Sequence, residues 1–231
     1  MLTDTMTPDE TLREMRGDYE RLCRRLNHEM PRWRRWLLKH KGMMRIESSE
    51  WTSPQTRNRW VWGARLTDPK MNHLGLLSGV LRWHEEGMSF ILLWPDGGDK
   101  ERYTGFRSSM SDIIGGHDML VEVTPHCWQR IRERWTGMRR WYGADLVQQV
   151  FFLNDSKYIA MSTTDEGQNR AGRRIANPAR IVLPDGILLG EQLKPWYMRM
   201  NTFITHDQTY GQQREVLGDL KDKMARAEPL I

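Results

Sequence analysis

The sequence predicts an α+β fold, with N-terminal helices and a β-meander followed by two further helices, an antiparallel sheet and a C-terminal helix. Three observations carry this expectation. Leu12, Met15, Tyr19, Leu22 and Leu26 recur at helical spacing. Between residues 44 and 94 that spacing gives way to short strand-like runs separated by turn signals. After residue 115 a short apolar run leads through Thr124-Pro125 into a second helical pattern, and antiparallel strand candidates follow it.

The elements can be justified in order. Thr7 suits an N-cap, with Pro8 at the first helical position and Glu10 placed to complete a capping box, so a helix is expected over 8–29. Met30-Pro31 is expected to break it, and a short second helix follows over 32–40, ended by Gly42. Strands are expected over 44–49, 59–66, 78–84 and 88–94, the last two joined by a hairpin at Glu85-Glu86-Gly87. Asp96-Gly97-Gly98-Asp99 reads as a turn, 101–107 as a further strand and 108–116 as a linker. Next come a strand over 119–123, a helix from Thr124-Pro125 to about Gly137, and a helix over 144–153. The polar, basic stretch 155–177 reads as a loop. Strands over 181–183, 187–189 and 197–205 are expected around a Pro184-Asp185-Gly186 turn. Thr209 and Gln212 suggest the capping box of a last helix to about Ala227. The organisation divides softly into a part over 1–110 and a part over 115–231.

Composition narrows the function classes. A hydrophobic fraction of 39% with 28% charged residues describes a globular chain rather than a disordered one. No apolar run reaches the roughly 20 residues that span a bilayer, so no membrane role is expected. Two cysteines, Cys23 and Cys127, build neither a disulfide framework nor a zinc cluster, and a reducing, cytoplasmic setting is the expectation. His73, His84 and His117 lack metal-ligand spacing, and Asp96 and Asp99 lack the order of a calcium loop. Phosphate-binding glycine motifs and the serine-nucleophile motif do not occur, so neither metal nor cofactor is expected.

Net charge is +5, and its distribution says more than its total. One cluster holds Arg32, Arg34, Arg35, Lys39, Lys41 and Arg45; a second holds Arg130, Arg132, Arg134, Arg139 and Arg140; a third holds Arg170, Arg173, Arg174 and Arg180. Trp33, Trp36, Trp128, Trp135 and Trp141 lie among the first two. Arginine interleaved with aromatic rings suits RNA or single-stranded nucleic acid, with charge for phosphates and flat faces for bases. The alternative is that the tryptophans are core and the arginines a solvated rim, and a protein partner anchored by exposed Trp and Arg is a third reading.

The most informative segment is Val123–Trp135, VTPHCWQRIRERW. On a helical wheel Cys127, Trp128, Ile131, Trp135 and Met138 form one apolar arc, while His126, Arg130 and Arg134 form a stripe of successive i+4 positions along its edge. Cys127 on that arc reads as core filler rather than a nucleophile. His126 stands in the first turn, where free N–H groups and the positive helix end welcome a phosphate. Metal-free RNA scission needs a base, an acid and cations around the phosphate. His126, Arg130 and Arg134 could supply most of these, although an amphipathic helix whose polar edge happens to read His-Arg-Arg would look the same.

The order of a strand, an H-x-x-x-R-x-x-x-R helix, a second helix and an antiparallel sheet resembles the barnase, EndoU, colicin and RelE group of ribonucleases, especially its compact phage and prophage versions. The resemblance rests on His126, Arg130, Arg134, the glycine hairpin at Pro184-Asp185-Gly186, and the hydroxyl-bearing late strand Asn201-Thr202-Phe203-Ile204-Thr205. It implies a metal-independent endoribonuclease, toxin-like in setting, with Thr202 positioning the phosphate. It covers at most 115–231; the stretch 155–177 and the expected last helix depart from the minimal pattern and leave the second catalytic group open. His206 beside Asp207 is a candidate acid or simply part of a helix start. Tyr197 and Arg199 alternate with Met198 and Met200, so they share a strand face from which Arg199 could reach phosphate.

Overall fold

The computed structural model describes residues 1–66, 74–94, 118–153, 160–163, 166–168, 174–183, 185–209 and 218. The expected strand at 101–107, the linker, the Asp96–Asp99 turn, His73, His117 and nearly all of the expected last helix lie outside them.

Helix α1 is Pro8–Lys39, with the expected capping box: the Glu10 amide donates to Thr7 Oγ1 at 3.3 Å and the Thr7 amide to Glu10 Oε2 at 2.8 Å. The expected break at Met30-Pro31 is corrected, since one helix runs through Pro31. Trp33 and Leu37 continue the buried stripe of Met15, Tyr19, Leu22 and Leu26, so packing rewards an unbroken helix. Pro31 is exposed, where water can serve the carbonyl whose partner N–H the proline lacks.

Four antiparallel strands follow as a meander: β1 (Arg45–Thr52), β2 (Arg59–Leu66), β3 (Leu74–His84) and β4 (Gly87–Trp94). Then come β5 (Met119–Val123), α2 (Pro125–Arg134), a 3-10 turn over Thr136–Met138, α3 (Gly143–Gln148) and a π-helical turn over Gln149–Leu153. The stretch expected to be a loop carries three short strands, β6 (Ala160–Thr163), β7 (Glu166–Gln168) and β8 (Arg174–Ala176). The reason is tertiary: β6 pairs along the outer edge of β9, and β7 and β8 pair with each other, and polar composition does not report such pairing. The chain continues with β9 (Pro178–Leu183), β10 (Gly186–Lys194) and β11 (Tyr197–Thr205). A 3-10 turn over His206–Gln208 is capped by Thr205.

The main sheet has nine strands in the order β1-β2-β3-β4-β5-β11-β10-β9-β6. The expected division near residue 110 falls between β4 and β5, which pair antiparallel, so the sheet runs continuously across it. Among the described residues the one parallel pair is β5 with β11. Strand alternation divides the sheet's side chains between two faces. Trp60, Trp62, Ala64, Ile91, Leu93 and Leu120 pack under α1, while Phe90, Leu92, Val121, Val123, Met198 and Met200 pack under α2 and α3.

Helix α1 is pinned at mid-length. The fully buried Asp18 carboxylate accepts from Ser53 Oγ (2.6 Å), Asn58 Nδ2 (2.9 Å), Trp60 Nε1 (3.2 Å) and Thr56 Oγ1, and pairs with Arg21 at 2.9 Å. Burial pushes its pKa up, but the donated hydrogen bonds win and hold the carboxyl below its ordinary value. Among the described residues no helix is long and apolar enough to cross a membrane.

Candidate nucleic-acid interface

The α2 wheel is realised closely. Cys127, Trp128, Ile131, Trp135 and Met138 are buried, and Trp135 stacks on Phe203 of β11 with centroids 5.7 Å apart. Thr124 caps the helix, accepting from the Cys127 amide at 3.3 Å while its own hydroxyl donates to the Met200 carbonyl at 3.0 Å. That pair of bonds ties the start of α2 to the middle of β11. Burial pushes the Cys127 thiol well up, as expected of core filler, and pushes Cys23 up to about 12.

Along the polar edge, His126 is exposed and its Nε2 accepts from Arg130 Nε at 3.4 Å. Arg130 also pairs with Glu133 at 2.7 Å, and Gln129 donates to the same carboxylate at 2.8 Å, holding Glu133 below the usual carboxylate range. Arg130 is therefore partly neutralised. Arg134 donates to the Phe203 carbonyl, which fastens the end of α2 to β11.

Two residues expected at this site are placed elsewhere. Leu189 pairs with Thr202 whereas Gly190 pairs with Met200, so Asn201 is a bulged extra residue. The bulge turns Phe203 towards α2 and puts Thr202 on the opposite face with Leu189 and Ile204. Arg199 shares that far face. It pairs with Glu122 at 3.0 Å and with the Tyr197 hydroxyl at 3.1 Å, and Tyr197 in turn donates to Glu122. Burial and the neighbouring carboxylate push the Tyr197 phenol up to about 12. Thr202 and Arg199 thus do not join His126, Arg130 and Arg134, because the sheet lies between them. His206 follows β11, and its Nε2 hydrogen-bonds the Leu183 carbonyl of β9 at 3.1 Å.

What gathers at α2 instead is a cationic, aromatic surface running into the loop before α3. Arg132 lies over the Tyr142 ring at 3.8 Å from its centroid, and its Nη2 donates to the Arg139 carbonyl at 3.4 Å. Arg139 returns a bond to the Glu133 carbonyl at 3.2 Å, and Arg140 lies over Trp141 at 4.9 Å. Gln129, Arg132, Glu133 and Arg139 line an open depression of about 620 Å³. Among the described residues Arg132, Arg139 and Arg140 have no carboxylate partner. The sequence reading placed Arg132, Arg139 and Arg140 together in its second arginine cluster but did not single out Trp83 and Tyr142, both exposed.

The remaining candidates are spread out. Arg34 and Arg35 are exposed on the last turns of α1, and Arg32 stands 3.5 Å from Glu29. Arg173 and the side chain of Arg174 lie outside the described residues. No known protein family, curated protein or solved structure matches the chain.

Proposed function

We propose that this protein binds RNA or single-stranded nucleic acid through the face formed by α2 and the loop leading to α3. The observation that carries the reading is the set Arg132, Arg139 and Arg140, which hold no carboxylate among the described residues, with Arg132 and Arg139 lining an open depression. Cations left unneutralised by the fold are available to phosphates, and guanidinium groups offer them fork-shaped donors. If three of them displace counterions from a single strand, the affinity falls with a slope of about −2 in log–log form, or roughly fourfold for each doubling of salt. Titration of a labelled oligonucleotide at several salt concentrations measures this slope. Replacing Arg139 with Glu should weaken binding and flatten the slope. Binding that is absent, or indifferent to salt, would transfer the face to a protein partner.

A cleavage reading draws on one further observation, the exposed His126 in the first turn of α2 beside Arg130. Its chemistry would be metal-independent transesterification: the 2′-oxygen, giving up its proton to a base, bonds to phosphorus while the P–O5′ bond breaks, leaving a 2′,3′-cyclic phosphate and a protonated 5′-hydroxyl. Thr202 stands on the far face of the sheet, so it is not the second proton-transfer group that this chemistry requires. Incubating the oligonucleotide in EDTA and comparing wild type with His126→Ala tests it. Binding without cleavage leaves the binding function standing alone.

A further inference from the structure

We propose that Trp83 and Tyr142 form a base-stacking platform, so that this surface selects single-stranded nucleic acid over a duplex. The proposal rests on the nucleic-acid reading above and specifies its ligand. Trp83 is 59% exposed and Tyr142 62%, although a large ring gains much by burial. Among the described tryptophans whose side chains are placed, Trp83 is the exposed one; Trp33, Trp60, Trp62, Trp128 and Trp135 are buried. Both rings are nevertheless held in position. Trp83 stands near the end of β3, opposite Met88 in the hairpin, and its indole edge lies 3.8 Å from where a Cβ on Gly143 would stand. That contact sets it beside Tyr142, the residue preceding Gly143. One face of Tyr142 carries the Arg132 guanidinium, so its remaining exposure belongs to the opposite face and the ring edge.

The charges around these rings separate the roles. Arg132, Arg139 and Arg140 belong to the C-terminal half of α2 and the turn after it, while the exposed acids Glu85 and Glu86 stand at the hairpin tip, next to Gly87, which lies against Pro125 at the helix start, and the exposed Asp145 is in α3. Phosphates are therefore drawn to the arginines and repelled from the hairpin, which leaves the bases to the rings. A duplex keeps its base faces stacked internally and offers none of them to a platform, whereas each unpaired base has a free face.

The experiment compares three labelled probes by fluorescence anisotropy: a single-stranded RNA, the same RNA as a duplex, and an abasic chain with an equal number of phosphates. Wild type should bind the base-bearing single strand most tightly. Trp83→Ala and Tyr142→Ala should each weaken that binding by roughly 5- to 100-fold while leaving the abasic chain unchanged, and Trp83→Phe should restore part of the loss. Equal affinity for the base-bearing and abasic chains, or equal weakening of both by the variants, overturns the platform and leaves the nucleic-acid reading intact. Failure to bind any probe overturns the nucleic-acid reading itself.

Discussion

The end of α1 and the α2–α3 face are built from the same residue types, arginine and tryptophan, and use them in opposite ways. On α1, Trp33 is buried against Trp62 with centroids 6.1 Å apart, and Leu37 is buried one turn on, so Arg32, Arg34, Arg35 and Lys39 form the wet side of a packed helix. Trp36 is half-buried and already engaged, stacked on His40 at 4.3 Å with Arg45 over it at 4.8 Å. On the α2–α3 face the buried rings are again core, but Trp83 and Tyr142 remain outside it, and Tyr142 carries Arg132, which has no carboxylate partner among the described residues. An Arg/Trp-rich stretch therefore says little until the rings are placed. An aromatic ring that fills the core stabilises the fold and cannot also receive a base.

The comparison is most exposed to a pair of stability measurements. Trp33→Ala should cost about 3–5 kcal/mol, the usual range for deleting a large core ring. Trp83→Ala should stay within roughly 0.5 kcal/mol, as surface substitutions do. Urea unfolding of both variants checks the contrast, and similar losses would mean that Trp83 is structural.

A smaller effect is expected where α1 is pinned to the β1–β2 loop. Asp18→Ala strips the acceptor from Ser53, Thr56, Asn58 and Trp60 and should cost about 2–3 kcal/mol, of the order of leaving a buried donor unsatisfied. Because the folded Asp18 pKa is lowered, the stability it adds is complete well above the unfolded carboxylate value near 3.8. That contribution is lost as pH falls through that value towards the folded one. Wild type should therefore lose stability between about pH 5 and pH 3, and the variant should show a shallower decline over the same window. Unfolding curves at several pH values would reveal a parallel decline if Asp18 is not the group responsible.

The smallest effect concerns the α1 cations as ligands. Replacing Arg34, Arg35 and Lys39 together with Ala should weaken oligonucleotide binding by no more than about threefold, a long-range screened contribution. Arg139→Glu should weaken it more. A larger loss from the α1 triple variant would reverse the ranking of the two surfaces.

Much of the fold was legible because local patterns agreed with the final packing. The Thr7 capping box, the hydrophobic spacing of α1, the Thr124-Pro125 start of α2 and the short strand-like runs of β2, β4 and β5 were all readable, since each is a pattern of consecutive residues that agrees with the burial of its element. Pro31 misled because a proline's local cost is visible in sequence, while the buried Trp33 and Leu37 stripe that overrides it is a tertiary gain. β6 escaped notice because an edge strand is defined by its partner β9.

What the sequence by itself determined is the α2 wheel: which side of that helix is core, and that His126, Arg130 and Arg134 share its polar edge. Helical periodicity is a property of consecutive residues and needs no knowledge of neighbours. Only the tertiary structure decided what joins that edge. A single bulged residue, Asn201, sends Thr202 to the far face of the sheet and turns Phe203 under Trp135, because strand side chains alternate and one extra residue reverses all that follow. The meeting of Trp83 from the β3–β4 hairpin with Tyr142 before α3 is likewise a contact between residues about sixty positions apart. No local pattern encodes such a meeting; it exists because the continuous sheet carries the hairpin to the edge of α2.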